Sequence, residues 1–330
     1  MDFSGRCVKC GKCKSVCPTY RVVLKETASP RGRMHLIEAA QKGSLSWEKA
    51  AASIETCLLC MACEEACPQR VKITERVMEA RARTTSKRAE ARAASWFARL
   101  APKLAEHPRA LHSSSSKTCV LYTGCVIPLA FPRVEKKCLE LLWSLGYRVL
   151  KPENICCGHP HLASGRLDEA FYAAQILSDT LPDAEVITPC STCASHMKKS
   201  LDARVLDITE LIVEHTNAFL PAKSLPGPVA FHTPCHLKRG QGIDPSRALK
   251  EIFGEIHMLS ENCCGFGGTV SARHPGLSLK VAEQRIKEAI SKKAKAIITT
   301  CPACMIQLKR ASLATKSNIE VLHLVEAISI

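Results

Sequence analysis

Eight cysteines in two matching runs constrain this chain more than any other feature. The first run is Cys7-x-x-Cys10-x-x-Cys13-x-x-x-Cys17-Pro18, and the second is Cys57-x-x-Cys60-x-x-Cys63-x-x-x-Cys67-Pro68. Thiolates at every third residue wrap one corner of an iron–sulfur cube. The fourth cysteine, ahead of proline, is turned away and reaches the neighbouring cube. Cys7, Cys10, Cys13 and Cys67 are therefore expected to hold one [4Fe–4S] cubane, and Cys57, Cys60, Cys63 and Cys17 the second. A pair of zinc sites fits worse, because zinc takes four ligands and favours paired CxxC knuckles. Two cubanes side by side pass electrons one at a time, so the spacing points to electron transfer.

The rest of the composition agrees with a metal-rich, reducing setting. The chain has 330 residues, 20 of them cysteine, and is long enough for two or three domains. Its start, Met1-Asp2-Phe3-Ser4-Gly5-Arg6, carries no apolar run, so no secretory signal is expected. Thiols in the cytoplasm stay reduced, which favours metal ligation over disulfides. No uncharged stretch is long enough to span a bilayer; residues 119–132, 14 residues inside the longest such run, are also broken by two prolines. The formal charge of +15 overstates the basicity, because each cubane with its four thiolates carries about −2. Nucleic acid is not an expected partner: only 5% of residues are aromatic, and no reading motif is present.

Residues 1–80 form the two-cluster region, expected to be mainly helical, with short helices over 34–42 and 47–56. Pro30-Arg31-Gly32-Arg33 places two arginines between the runs, either tuning reduced clusters or simply forming a solvated turn. Residues 81–116 read as a basic helical linker ending in Ser113-Ser114-Ser115-Ser116. Across 73–104 an apolar stripe (Ile73, Val77, Ala80, Ala89, Ala93, Trp96, Phe97, Leu100) faces a basic surface from Arg76 and Arg81 to Arg99. Such a helix can lie on an anionic membrane or a partner, and a connector packed on its own domain is the favoured reading.

From Lys117 onward the chain repeats itself. Cys125 corresponds to Cys235, Cys156-Cys157-Gly158 to Cys263-Cys264-Gly265, and Cys190-x-x-Cys193 to Cys301-x-x-Cys304, at offsets of 110, 107 and 111 residues. Even the tails match, Val205-Leu206-Asp207 against Val321-Leu322-His323. This is a duplication, with domains expected at 117–225 and 226–330. Apolar runs alternate with helical patterns, so each copy is an α/β unit with a mostly parallel sheet. Residues 185–189 run as a strand into Cys190, and 296–300 into Cys301, which sets each CxxC at a strand end and a helix start. Backbone N–H groups there are expected to lower the thiol pKa. The glycine after each adjacent pair, with Gly265-Phe266-Gly267-Gly268 in the second copy, is expected to leave room for a bulky group. Each copy supplies five cysteines, more than zinc or a cubane needs. Cys119 and Cys138 read as core residues. His159, His161, His232 and His236 flank the cysteines; His159 and His236 are the candidate catalytic proton carriers. No Gly-x-Gly-x-x-Gly fingerprint follows a strand, so no flavin or nicotinamide site is expected in this chain.

The doubled pattern, ahead of which stand two ferredoxin-type motifs, resembles the CCG-domain iron–sulfur proteins: the CCG-containing subunit of heterodisulfide reductase and the glycolate oxidase iron–sulfur subunit. Cys17-Pro18-Thr19-Tyr20, Ser29-Pro30-Arg31-Gly32-Arg33 and Thr233-Pro234-Cys235-His236 are similar to the latter. The resemblance covers nearly the whole chain. It implies a helical two-[4Fe–4S] ferredoxin domain followed by two duplicated α/β cysteine-rich domains, an α plus α/β fold class. It implies that Cys125, Cys156, Cys157, Cys190 and Cys193, and likewise Cys235, Cys263, Cys264, Cys301 and Cys304, hold metal. The group there would be one or two noncubane [4Fe–4S] clusters, or zinc in one half. It implies an electron-transfer subunit of a flavin-dependent dehydrogenase for glycolate or D-lactate. The partners would be an FAD-containing subunit and a quinone or membrane redox partner, and the place the cytoplasm or the inner membrane face. The alternative is a heterodisulfide-reductase-like thiol/disulfide oxidoreductase. The glycolate oxidase subunit lacks the first cysteine of each CxxC, whereas this chain keeps Cys190 and Cys301, which brings it nearer that alternative.

Overall fold

A computed structural model of the protein describes residues 7–84, 117–152, 155–222 and 224–329. Most of the basic linker, including Lys87, Arg88, Arg92, Trp96, Phe97 and Arg99, and the Ser113–Ser116 run lie outside the described residues.

The N-terminal region is helical: Pro18–Val23, Pro30–Gln41, Trp47–Ile54, Ala62–Glu65 and Ile73–Thr84. Two of these helices start where their sequences say they should. Ser29 Oγ accepts from Gly32 N–H with Pro30 at the first turn, and Ser46 Oγ accepts from Lys49 N–H. Met34, Ile37, Ile54, Ile73 and Val77 close a small core against the cysteine loops. Ile73, Val77 and Ala80 thus pack on their own domain, as expected of a connector. Arg81 does not belong to a basic outer face. It is buried, and its guanidinium donates to the carbonyls of Ile54, Glu55 and Cys57 and, from the next domain, Ala163.

Two four-stranded parallel sheets follow. In the first, β1 (Thr118–Leu121), β2 (Arg148–Leu150), β3 (Glu185–Thr188) and β4 (Val205–Asp207) lie in the order β2-β1-β3-β4. A short β5 (Leu220–Pro221) comes next. The second sheet has β6 (Val229–Phe231), β7 (Ile256–Met258), β8 (Ala296–Thr299) and β9 (Glu320–His323), in the same order, β7-β6-β8-β9. The duplication is therefore a duplication of topology, and helices between the strands bury both sheets. Val186, Ile187, Ile297 and Ile298 are fully buried, as parallel central strands require. Cys119 and Cys138 lie in the core, as expected.

The halves are tied to each other and to the N-terminal region. β5 pairs antiparallel with β10 (Ile328–Ser329), linking the end of the first half to the end of the second. Leu58, Cys60 and Ala62 share the large core of the two halves rather than that of their own region. Across the same junction Arg239 donates to Glu65 at 2.7 Å and Arg273 pairs with Glu55 at 3.2 Å. No helix among the described residues is long and apolar enough to cross a membrane.

Candidate metal centres

The eight N-terminal cysteines converge on two cavities, and each cavity mixes the two runs. Cys7, Cys10, Cys13 and Cys67 line the first, with Met34, Val71 and Ile73. Cys17, Cys57, Cys60 and Cys63 line the second, with Leu58, Ile73 and Thr74. Left-handed Gly11 (φ +83°) and Met61 (φ +59°) make the tight turns ahead of the cysteine helices. Four thiols around a mainly apolar hole are the donor set of a [4Fe–4S] group. The two cavities differ in depth. Cys10 is exposed and Cys7, Cys13 and Cys67 half-buried, whereas Cys17, Cys57, Cys60 and Cys63 are all buried.

The two arginines between the runs sit at different cavities. Arg31 is half-buried in the lining of the outer cavity, paired with Glu26 at 2.8 Å and donating to Lys9 O. Arg33 is buried, with Nη1 at 3.8 Å from Cys17 Sγ, Nε donating to Ser53 O at 3.0 Å and Nη2 to Thr19 Oγ1 at 2.9 Å. Its positive charge sits beside the inner cavity, together with that of buried Arg81, whose guanidinium burial holds down at about 10. Positive charge there favours the reduced, more negative state of a group held in the cavity.

In the duplicated domains the cysteines gather at the carboxyl ends of the strands. Cys190 caps the helix Ser191–Ser200 and Cys301 the helix Pro302–Ala314. In the first half Cys125 touches Cys156, Cys156 touches Cys157, Cys157 Sγ lies 3.6 Å from Cys193 Sγ, and Cys193 touches Cys190. In the second half Cys235, Cys263, Cys264, Cys304 and Cys301 form the matching succession. Two contacts extend these series. Cys190 meets Cys301 across the junction of the halves, and Cys60 of the inner cavity meets Cys235 and Cys263. Thiols thus run without a break from the inner cavity through the second half to the first. Sequence spacing carries no signal for the Cys60 contact, which joins residues far apart in the chain.

Two sequence expectations are corrected. The helix starts do not lower both CxxC thiols. Cys301 is held well below its usual range by the thiols of Cys190 and Cys304. Cys190 is drawn down by Cys193 but ends well above its range, because the Cys301 thiol and burial outweigh that pull. The glycines after the adjacent pairs do not clear space for a bulky group. Gly158 (φ +90°) and Gly265 (φ +89°) turn the chain, and a Cβ on either would come within 2.6 Å of Ala170 O or 2.5 Å of Ser278 O. Gly267 likewise admits Leu58 of the N-terminal region, whose Cδ2 a Cβ would meet at 2.5 Å.

Three histidines gather beside the junction. The rings of His159 and His236 stand edge-to-face at 4.9 Å, and His196 joins them at 5.5 Å from His159. Thr192 Oγ1 bridges toward His236 Nδ1 at 3.4 Å and Cys301 Sγ at 3.3 Å. Burial lowers all three imidazoles, His196 to about 4, so they are neutral at pH 7. The structure brings the candidates His159 and His236 together. His161 is also buried, 4.0 Å from Glu169, and His232 lies beside Cys264 and Cys304. His196, one turn beyond Cys193, carries no motif and is not a candidate on sequence grounds.

Comparison with known proteins bears on this arrangement. Residues 4–71 match the 4Fe-4S dicluster domain, and residues 119–198 and 229–309 each match the CCG cysteine-rich domain. A subunit of the fumarate reductase (CoM/CoB) of Methanothermobacter marburgensis is 26% identical over 92% of this chain; the match spans 67% of that protein. Lactate utilization protein A of Geobacillus thermodenitrificans is 29% identical over 63% of this chain and 97% of its own length. A hypothetical protein from Helicobacter pylori shares the fold over 90% of this chain and 66% of its own, with a TM-score of 0.55 and 12% identity. The chain is thus a CCG-domain iron–sulfur protein, in which a 4Fe-4S dicluster domain precedes two cysteine-rich domains.

Proposed function

We propose that the chain is the electron-transfer subunit of an oxidoreductase whose FAD-containing partner oxidises a small 2-hydroxy acid, lactate or glycolate. The observation that carries this reading is the pair of crossed four-cysteine cavities, one near the surface and one buried. Cys7, Cys10, Cys13 and Cys67 would hold the outer cubane, and Cys57, Cys60, Cys63 and Cys17 the inner one. Cubanes supply one-electron acceptors. The chain's own part is to space them, to keep water from the inner one and to set positive charge beside it through Arg33 and Arg81. The likeness to lactate utilization protein A supports the choice of substrate class. The domains implied are 1–80, 81–116, 117–225 and 226–330. The place implied is the cytoplasm, with a quinone-linked partner on the inner membrane face. The test is anaerobic mixing of the purified chain with D-lactate or glycolate. The visible cluster absorption is expected to stay unbleached until the flavoprotein is added; bleaching by substrate alone would contradict the division of labour.

A second reading, thiol–disulfide chemistry in the cysteine-rich halves, is favoured by one observation. Both complete five-cysteine sets meet at Cys190 and Cys301 under the three neutral histidines. The likeness to the CoM/CoB-named fumarate reductase points the same way. Turnover of a disulfide by the reduced chain without any flavoprotein would select this reading.

A further inference from the structure

The outer four-cysteine cavity opens on a cationic rim. Every charged side chain that lines it is basic: Lys9, Lys12 and Arg31. Lys9, Cys10 and Lys12 are exposed, and so are Arg70 and Lys72, which flank Val71 of the same lining. The carboxylates on the elements packed around it are already engaged. Glu26 is shared by Lys14 at 2.7 Å and Arg31 at 2.8 Å, and Glu38 by Lys42 at 2.7 Å and Lys9 at 3.6 Å. Glu64 accepts from Thr74, and Glu65 pairs with Arg239. None of these four carboxylates takes up the charge of Lys12, Arg70 or Lys72.

The inner cavity supplies the contrast. Its one charged lining residue is Arg33, and its four cysteines are buried. Positive charge beside a buried centre acts on that centre. Exposed positive charge around an exposed cysteine, Cys10, also attracts an anionic surface from solution and steers its approach. A cubane with its four thiolates carries about −2. Lys9, Lys12 and Arg31 already exceed that, and Arg70 and Lys72 add to the surplus. The rim gives a bilayer little to bury, because among the lining residues only Val8 is a large exposed apolar side chain. A lipid surface also takes no electrons, whereas an acidic redox protein matches both the charge and the centre.

We propose that this rim is the docking face for an acidic one-electron carrier protein, which meets the chain around Cys10. The exchange is a single electron: the carrier's centre loses it, the outer cubane gains it, and no bond or proton moves. Lys12, Arg70 and Lys72 steer the carrier, and Lys9 and Arg31 line its contact with the cavity. The inference rests on the electron-transfer reading and deepens it by naming where the chain docks and the kind of protein that fits.

The test uses the anaerobically purified full chain and two protein probes of opposite charge, an acidic [2Fe–2S] ferredoxin and basic cytochrome c. Binding is read by calorimetry. Electron transfer is read by stopped flow, from reduced ferredoxin to the oxidised chain and from the reduced chain to oxidised cytochrome c. The ferredoxin is expected to bind, and its second-order rate to fall about tenfold or more between about 20 and about 200 mM salt. The cytochrome c rate is expected to rise with salt. The triple variant Lys12→Glu, Arg70→Glu, Lys72→Glu is expected to lose ferredoxin binding. The same charge change on exposed residues of the second half, Lys250→Glu, Lys280→Glu, Lys287→Glu, is expected to keep it. The wild-type salt series decides the matter even where a variant fails to fold. A salt-independent ferredoxin rate, a cytochrome c rate that falls with salt, or equal losses in the two triple variants would each overturn the proposal. Phosphatidylserine vesicles bound through Lys12, Arg70 and Lys72, with no ferredoxin bound, would assign the rim to lipid and overturn it too. A chain with about eight or more irons that dithionite reduces but ferredoxin does not bind loses the docking face and keeps the electron-transfer reading. Ferredoxin bound at the rim with no cluster reduced keeps the face and breaks that reading.

Discussion

In the first cysteine-rich half the residue after the leading strand is Tyr122, its hydroxyl tied to Ile155 O. In the second it is His232, its ring beside two thiols. The cap after the fourth strand differs too: Asp207 in the first half, His323 in the second, each completing a capping box with a glutamate. Against this, Gly158 and Gly265 take the same left-handed turn, and Cys190 and Cys301 cap equivalent helices, one in each half. The duplication has kept the left-handed glycine turns and the cysteine caps and let the side chains after the leading and fourth strands diverge.

The largest expected effect probes the shared part. Gly158→Ala and Gly265→Ala each force a Cβ onto a backbone carbonyl and strain a positive φ. Each is expected to cost about 3 kcal/mol or more, read as a fall in the thermal midpoint. One variant tolerated and the other not would break the equivalence of the halves.

The next effect separates them by pH. Neutral His323 has both nitrogens engaged: Nε2–H donates to Pro189 O at 2.8 Å, and Nδ1 accepts from Val325 N–H. Burial holds its pKa down at about 4, below an ordinary value near 6.5. The unfolded chain therefore binds more protons than the folded one between those values, so stability falls as pH drops from about 6.5 to about 4. The loss attributable to His323 is up to about 3 kcal/mol. His323→Gln, followed by urea unfolding at pH 7 and pH 5, is expected to flatten this acid slope. A slope equal to that of the wild type would remove His323 from the explanation.

The smallest effect sharpens the contrast at the strand ends. Tyr122→Phe leaves Ile155 O without its donor and is expected to cost about 1 kcal/mol with no change in bound metal. Metal loss from this variant would mean that Tyr122 and His232 are not as different as their contacts say.

Much of this is legible in the sequence because the signals are local. The cysteine spacing, the Ser29-Pro30 and Ser46 helix starts and the repeated β-strand-to-CxxC turns are each settled within a few residues. The crossed cavities are legible too, since the spacing itself turns Cys17 and Cys67 away. What is not legible depends on contacts between distant segments. Burial of Arg33 and Arg81 depends on the carbonyls around Cys57. The true neighbours of Gly158 and Gly265 are helix carbonyls, and the Cys60 bridge needs the N-terminal region seated on the second half. His196 and His232 look like any other histidine until the fold supplies their neighbours.

The crossed pairing of the two cysteine runs is the claim on which electron transfer rests. Electron paramagnetic resonance of the dithionite-reduced chain tests it directly, with Cys7→Ser, Cys17→Ser and Cys57→Ser compared side by side. Cys17→Ser is expected to perturb the same cluster signal as Cys57→Ser and to leave the one that Cys7→Ser removes. A Cys17→Ser spectrum that matches Cys7→Ser instead would place Cys17 with its own run and contradict the crossed arrangement.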